Sequence, residues 1–145
     1  VVAVDVDPVA VDCARSNGID AFEGDLFDAI PAQLALELAG RLDLVVAVVP
    51  YVPRGALPRL ARDTQRFEPS LALDGGDDGL DVLRTVINAA PRWLRPDGWL
   101  VAELGWGQVE AARAALVGQG FSFVAVLRDP DDDVCGVAAS RQRTR

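Results

Sequence analysis

Two spacings of apolar positions alternate along this chain. Short continuous apolar runs rich in valine are separated by stretches where apolar residues recur every third or fourth position. The first spacing suits buried strands and the second suits amphipathic helices. Their alternation predicts an α/β fold with a mostly parallel sheet. Val1 to Val4 reads as a strand, and Asp7-Pro8 then starts a helix, with Asp7 as its cap. Asn17-Gly18 ends that helix, and Ile19 to Phe22 forms a short second strand. A helix is expected from Pro31 to Ala39. Asp43 to Val49 is almost wholly apolar, as in a strand buried on both faces. Further on, the pattern predicts a helix from about Leu80 to Leu94, a turn at Pro96-Asp97-Gly98 and a strand from Trp99 to Leu104. A helix over Gln108 to Val117 stops at Gly118 and Gly120. Two strands, Phe121 to Leu127 and Val134 to Ala139, flank the Asp129 to Asp133 run and pair antiparallel.

The stretch from Pro50 to Gly79 breaks this rhythm. It holds four prolines and four glycines and is too long for a passive connector, so a functional loop is expected there. No linker or repeat divides the chain, so one domain over residues 1–145 is expected.

Composition narrows the chemistry. The net charge of −8 argues against nonspecific binding to a phosphate backbone. Histidine is absent, which excludes any histidine-based acid, base or metal site. Cys13 and Cys135 have no metal spacing and read as small buried residues. Trp93, Trp99 and Phe121 read as core aromatics. The Asp129 to Asp133 run lacks the spaced ligands of a calcium loop, and the Arg141 to Arg145 tail reads as a frayed, solubilising end. No apolar run approaches the ~20 residues of a membrane span, so a cytoplasmic location is expected. The opening run reads as the inside of a strand, which predicts an incomplete start.

In open parallel sheets, ligands bind outside the carboxyl ends of the strands. Three such ends bear chemistry. Asp5 offers two acceptor oxygens to a pair of ribose hydroxyls; the competing reading is a solvated acid. Asp25 beside Leu26 suits an adenine, one accepting from its amine and the other packing on its ring; the competing reading is an exposed turn acid. The third end, Val48-Val49-Pro50-Tyr51, is a rigid aromatic and proline loop. Glu103 also ends a strand, with structural and functional readings both open.

The third end is followed by Glu68-Pro69, Ala72-Leu73, Gly75-Gly76, Asp78-Gly79-Leu80, and later by Glu103 to Gln108. This ordered set resembles the release-factor-type protein glutamine methyltransferases (HemK or PrmC-like), most of all a related branch of high-GC bacteria. The resemblance implies a Rossmann-like class I methyltransferase fold and S-adenosylmethionine as cofactor, held by Asp5, Val6, Asp25 and Leu26. It implies a protein substrate, a peptide-chain release factor methylated on a glutamine side-chain amide. It also implies catalytic positions at Val48, Pro50 and Tyr51 and substrate contacts at Val49, Pro50, Tyr51 and Glu68, with no metal and no direct nucleic-acid binding.

The chain departs from the family in two places. Val48 stands where the family has asparagine, so one acceptor for the substrate amide is lost, and loss of such a contact commonly costs ~10²–10³ in rate. The family's first strand and glycine-rich loop have no counterpart before Asp5; that strand is expected between the first visible strand and the Asp43 strand. Two alternatives therefore stand beside the enzyme reading: a non-catalytic relative, and a nucleic-acid amine methyltransferase. The oligomeric state is open.

Overall fold

The computed structural model describes residues 1–142, with Val124 described by its backbone alone. Arg143, Thr144 and Arg145 of the expected frayed tail lie outside the described residues. The chain divides into two compact units, Val1–Ala39 and Gly40–Arg145.

The first unit holds β1 (Val2–Asp5), α1 (Pro8–Ser16), β2 (Asp20–Glu23) and α2 (Ala32–Leu38), with a 3-10 turn at Leu26–Ala29. The Asp7 carboxylate accepts a hydrogen bond from the Val9 amide at 2.8 Å, the expected cap, and Pro8 opens the helix where no donor is needed. β1 and β2 pair in parallel, Val2 with Asp20 through Asp5 with Glu23. Val11 and Ala21 form the buried centre of this unit.

The second unit carries β3 (Leu42–Ala47), α3 (Arg62–Phe67), α4 (Asp81–Trp93), β4 (Leu94–Glu103), α5 (Val109–Gly118), β5 (Phe121–Arg128) and β6 (Val134–Arg141). Its sheet runs in the order β3-β4-β6-β5. β3 and β4 are parallel, whereas β6 is antiparallel to both β4 and β5. α4 buries Leu83, Ile87 and Ala90, one stripe at helical spacing. Full burial of Leu83 or Ile87 stabilises by roughly 1.5–3 kcal/mol each. The stripe shares the core with Leu100, Ala102, Val137 and Ala139 of the sheet. Arg141 is part of β6, and its guanidinium donates to the Leu94 carbonyl, so the chain is ordered there, not frayed.

Several expectations need correction. β3 is not buried on both faces: Leu44 is 51% and Val46 61% exposed. Their partners across the ladder, Trp99 and Val101, share that open face, which puts Trp99 at 38% exposure while Trp93 and Phe121 are buried. Both cysteines are exposed. The Pro96-Asp97-Gly98 turn does not separate α4 from the next strand. It forms a bulge within β4, where the pairing jumps from Leu42–Leu94 to Leu44–Trp99 and Asp97 takes φ 61°. The Pro50 to Gly79 stretch contains α3 and 3-10 turns at Arg54–Arg59 and Ser70–Ala72. β1 has its ladder with β2 and β3 has its ladder with β4, each on one side only. Among the described residues no helix is long and apolar enough to cross a membrane.

Candidate functional site

The loop that leaves β3 is built by backbone approach. The Val52 amide donates to the Leu73 carbonyl and the Gly75 amide to the Val52 carbonyl, both at 2.9 Å, and the Arg54 amide donates to the Gly76 carbonyl at 2.8 Å. These bonds lay residues 52–54 along residues 73–76. Two glycines make that closeness possible. A β-carbon on Gly75 would stand 2.6 Å from the Pro50 carbonyl oxygen, and one on Gly79 would stand 2.2 Å from that of Tyr51. Gly79 also has φ +80°, a conformation that side chains other than glycine rarely adopt. The spacing of the glycine motif is thus set by where the Pro50-Tyr51 backbone runs.

Acids and arginines fasten the same segment. Asp74 accepts from the Gly76 amide at 2.9 Å and from Arg54 Nε at 3.0 Å, and these bonds, the amide's first, hold its carboxyl below the usual range. Asp78 accepts from Arg84 at 2.8 Å and from the Leu80 amide at 3.1 Å. The Arg84 bond is the main cause that lowers the Asp78 carboxyl.

Tyr51 stands half-buried at the centre of this region. Its hydroxyl is raised above its ordinary pKa chiefly by burial, then by a hydrogen bond with Glu103 and by the charges of Glu103 and Glu68. Tyr51 therefore stays a neutral phenol and a donor at neutral pH. It lines an open cavity of about 510 Å³ with Pro53, Asp77, Asp78, Gly105 and Gln108. Glu68 lines a second cavity of about 340 Å³ with Leu57, Pro58, Leu60 and Leu73.

The other expected site residues are placed as follows. Val48 is 74% exposed and presents no polar group. Val49 and Pro50 are half-buried. Asp5 and Val6 are exposed at the carboxyl end of β1, and Asp25 and Leu26 follow β2 in the same unit. The Gly24 amide donates to the Asp5 carbonyl at 2.9 Å, which joins those two strand ends. One Asp5 carboxylate oxygen accepts from the Asp7 amide at 2.8 Å, so part of the capacity expected for ribose serves the local turn. Asp25 makes no capping bond with its side chain. Among the described residues no group of three or more His, Cys, Asp or Glu could hold a metal ion.

Gln108 was missed as a site residue by reading the sequence. It is the buried polar side chain of the described core, and it bonds the Tyr51 carbonyl. The signal available was the Gly105-x-x-Gln108 spacing, in which a glutamine reaches back to the amide of a helix cap.

Comparison with known proteins gives the geometry its context. No protein-family model matches the chain. A curated release factor glutamine methyltransferase from Geobacter sulfurreducens is 38% identical over 137 residues, which are 90% of this chain and 46% of that protein. Over nine tenths of its length the chain is similar to release factor glutamine methyltransferases. It spans about half the length of the curated relatives it matches. A ribosomal protein uL3 glutamine methyltransferase from Burkholderia pseudomallei is 39% identical over 124 residues, 79% of this chain and 40% of the relative. Among solved structures, the ribosomal protein L11 methylase from Lactobacillus delbrueckii subsp. bulgaricus aligns with a TM-score of 0.63 at 17% identity, covering 98% of this chain and 58% of that one. That likeness speaks for the fold alone. The expected class I methyltransferase fold, α/β with antiparallel strands at its C-terminal end, is borne out.

Proposed function

We propose that this chain serves S-adenosylmethionine-dependent methyl transfer to the side-chain amide of a glutamine in a protein, a peptide-chain release factor. The observation that carries this reading is the meeting of the ordered motifs: Tyr51, Asp78 and Gln108 come from three segments and line one cavity beyond the carboxyl ends of β3 and β4. The relatives' shared chemistry, a glutamine in a release factor or in a ribosomal protein, supports the acceptor class.

A glutamine amide nitrogen is a poor nucleophile because its lone pair is delocalised, so the site must hold it in line and accept its hydrogens. The Val49 carbonyl, which has no partner among the described residues, can accept one of them. Pro50 fixes the backbone on which that carbonyl sits. Tyr51 walls the slot, and Glu68 supplies negative charge beside it. In this reading Asp5, Val6, Asp25 and Leu26 hold the cofactor's nucleoside. The Asp5 carboxylate fits: one oxygen has no partner, and the other, already bonded to Asp7, keeps a second lone pair. The bound cofactor supplies an electrophilic methyl group on a sulfonium. A cytoplasmic location accords with such a substrate.

Val48 favours a second reading, a non-catalytic relative, because valine offers no acceptor where the family has asparagine. One experiment separates the two. The chain is titrated with S-adenosylmethionine by calorimetry, then supplied with a glutamine-bearing release-factor peptide and labelled cofactor. Glutamine-dependent labelling supports the enzyme. Cofactor binding without labelling supports the non-catalytic reading, and absence of binding by a version extended with the strand and glycine-rich loop of its relatives refutes the assignment of Asp5 and Asp25.

A further inference from the structure

We propose that Gln108 is the positioning residue of the acceptor cavity, tying the Tyr51 main chain to the turn between β4 and α5, so that the tyrosine is aimed by a segment distant in sequence as well as by its own loop. This rests on the reading of that cavity as the acceptor site.

The chemistry of the bonds identifies the residue type. Gln108 Nε2 donates to the Tyr51 carbonyl at 2.7 Å and to the Asp78 carbonyl at 2.9 Å, while Oε1 accepts from the Gly105 amide at 2.8 Å. Both donors and the acceptor of the amide are thus used, each on a different segment. Arginine or lysine would supply only donors, and an ionised glutamate only acceptors. Asparagine has the right groups on a stem one methylene shorter. At 8% exposure the side chain has little water to substitute for a lost partner.

The second tie to Tyr51 comes from the same strand end. Glu103 closes β4 and raises the pKa of the tyrosine hydroxyl, while Gln108, five residues on, holds the carbonyl at 2.7 Å. The carbonyl of the residue is thus fixed by the 103–108 segment, and its hydroxyl feels the Glu103 carboxylate of the same segment. The missing β-carbon of Gly79 leaves room for the inner grip, since that atom would stand 2.3 Å from Gln108 Nε2. Releasing the carbonyl should let the ring drift from Glu103 and from its half-buried position. Glu103 and Glu68 are the charged groups facing the hydroxyl, so drift reduces both influences.

Tyr51 is the sole tyrosine of the chain, which makes the test direct. Tyrosinate absorbance is followed through an alkaline titration of the wild type, of Gln108→Leu and of Leu116→Ala, a core substitution in α5. Thermal melting establishes that the two variants are comparably destabilised. The Tyr51 midpoint is expected to fall toward the ordinary tyrosine value in Gln108→Leu and to stay at the wild-type position in Leu116→Ala. A Gln108→Leu midpoint equal to wild type, or an equal fall in both variants, overturns the proposal. Should Gln108→Leu not fold, the wild type alone still decides. Its Gln108 side-chain amide protons are expected to exchange at least about tenfold more slowly than those of exposed Gln119; equal rates overturn the proposal. Neither measurement needs cofactor or peptide. Their failure leaves the methyl-transfer reading standing, and a failure of methyl transfer leaves the grip on Tyr51 standing.

Discussion

Replacing Gly79 by alanine tests the packing of the site most sharply, because Gly120 provides a matched control. Both glycines have φ +80°, but a β-carbon at Gly120 meets nothing within 4 Å. Gly120→Ala therefore measures backbone strain alone, about 1–2 kcal/mol. At Gly79 the same atom would lie 2.2 Å from the Tyr51 oxygen and 2.3 Å from Gln108 Nε2, far inside the 3.4 Å at which ordinary contact begins. It would wedge against both ends of the 2.7 Å bond between those two atoms. Neither atom can swing aside alone: one is backbone and the other is held by the Asp78 carbonyl. Breaking those bonds leaves buried polar groups unpaired at roughly 1–3 kcal/mol each. With the strain included, Gly79→Ala should cost on the order of 3–6 kcal/mol, a large share of the ~5–15 kcal/mol of a typical domain. Urea unfolding followed by tryptophan fluorescence suits the measurement, since Trp93, Trp99 and Trp106 all lie in the Gly40–Arg145 unit. At about 2 kcal/mol per molar urea, the midpoint should fall by roughly 1.5–3 M, against less than about 1 M for Gly120→Ala. Equal costs for the two variants, within ~1 kcal/mol, would refute the close approach of Gly79 to Tyr51.

Val48→Asn should leave stability within ~0.5 kcal/mol, because the position is 74% exposed. It should raise glutamine-dependent methyl transfer by about 10²-fold, read from labelled cofactor, if the lost acceptor is the damage. Arg84→Ala removes the pairing with Asp78 and Asp81, both partly exposed, and should cost ~1 kcal/mol or less. The Asp78 carboxyl is lowered in the folded chain, so its contribution is present above the unfolded carboxyl value and fades as pH falls through the folded one. The difference in urea midpoint between wild type and Arg84→Ala should accordingly be full at neutral pH and shrink below about pH 4.

Much of the fold was legible in the sequence because burial on one side of a helix or strand leaves a period. α4 shows it through Leu83, Ile87 and Ala90, and α1 shows its start through Asp7-Pro8. What was not legible depended on coverage. The β3 run is apolar on both faces, so its sequence carries no sign of which face is open; the exposure of Leu44 and Val46 follows from what packs over the sheet. The Pro96-Asp97-Gly98 turn was seen, but whether a turn ends a strand or bulges it depends on the pairing partner. The cap role of Gln108 had a local signal in its spacing from Gly105, but its ties to the site did not. Its carbonyl partners are 57 and 30 residues away, and an amide side chain leaves no periodic mark.

The motif positions divide by what would resist their change. Gly75 and Gly79 are fixed by backbone atoms closer than any β-carbon tolerates, and Gln108 by three bonds that no other side chain of its length completes. Altering any of these damages the fold of the unit as well as the cavity. Val48 is 74% exposed, so its side chain can be exchanged with asparagine at almost no cost in packing. The framework of the proposed acceptor site and the group proposed to engage the acceptor are thus under separate physical constraints. A chain can keep the first, remaining recognisable by its glycines, Asp78 and Tyr51, while the second is gone. For this reason the packing of the glycines and Gln108 does not report on the group at residue 48, and the labelling experiment with valine and with asparagine there tests that position by itself.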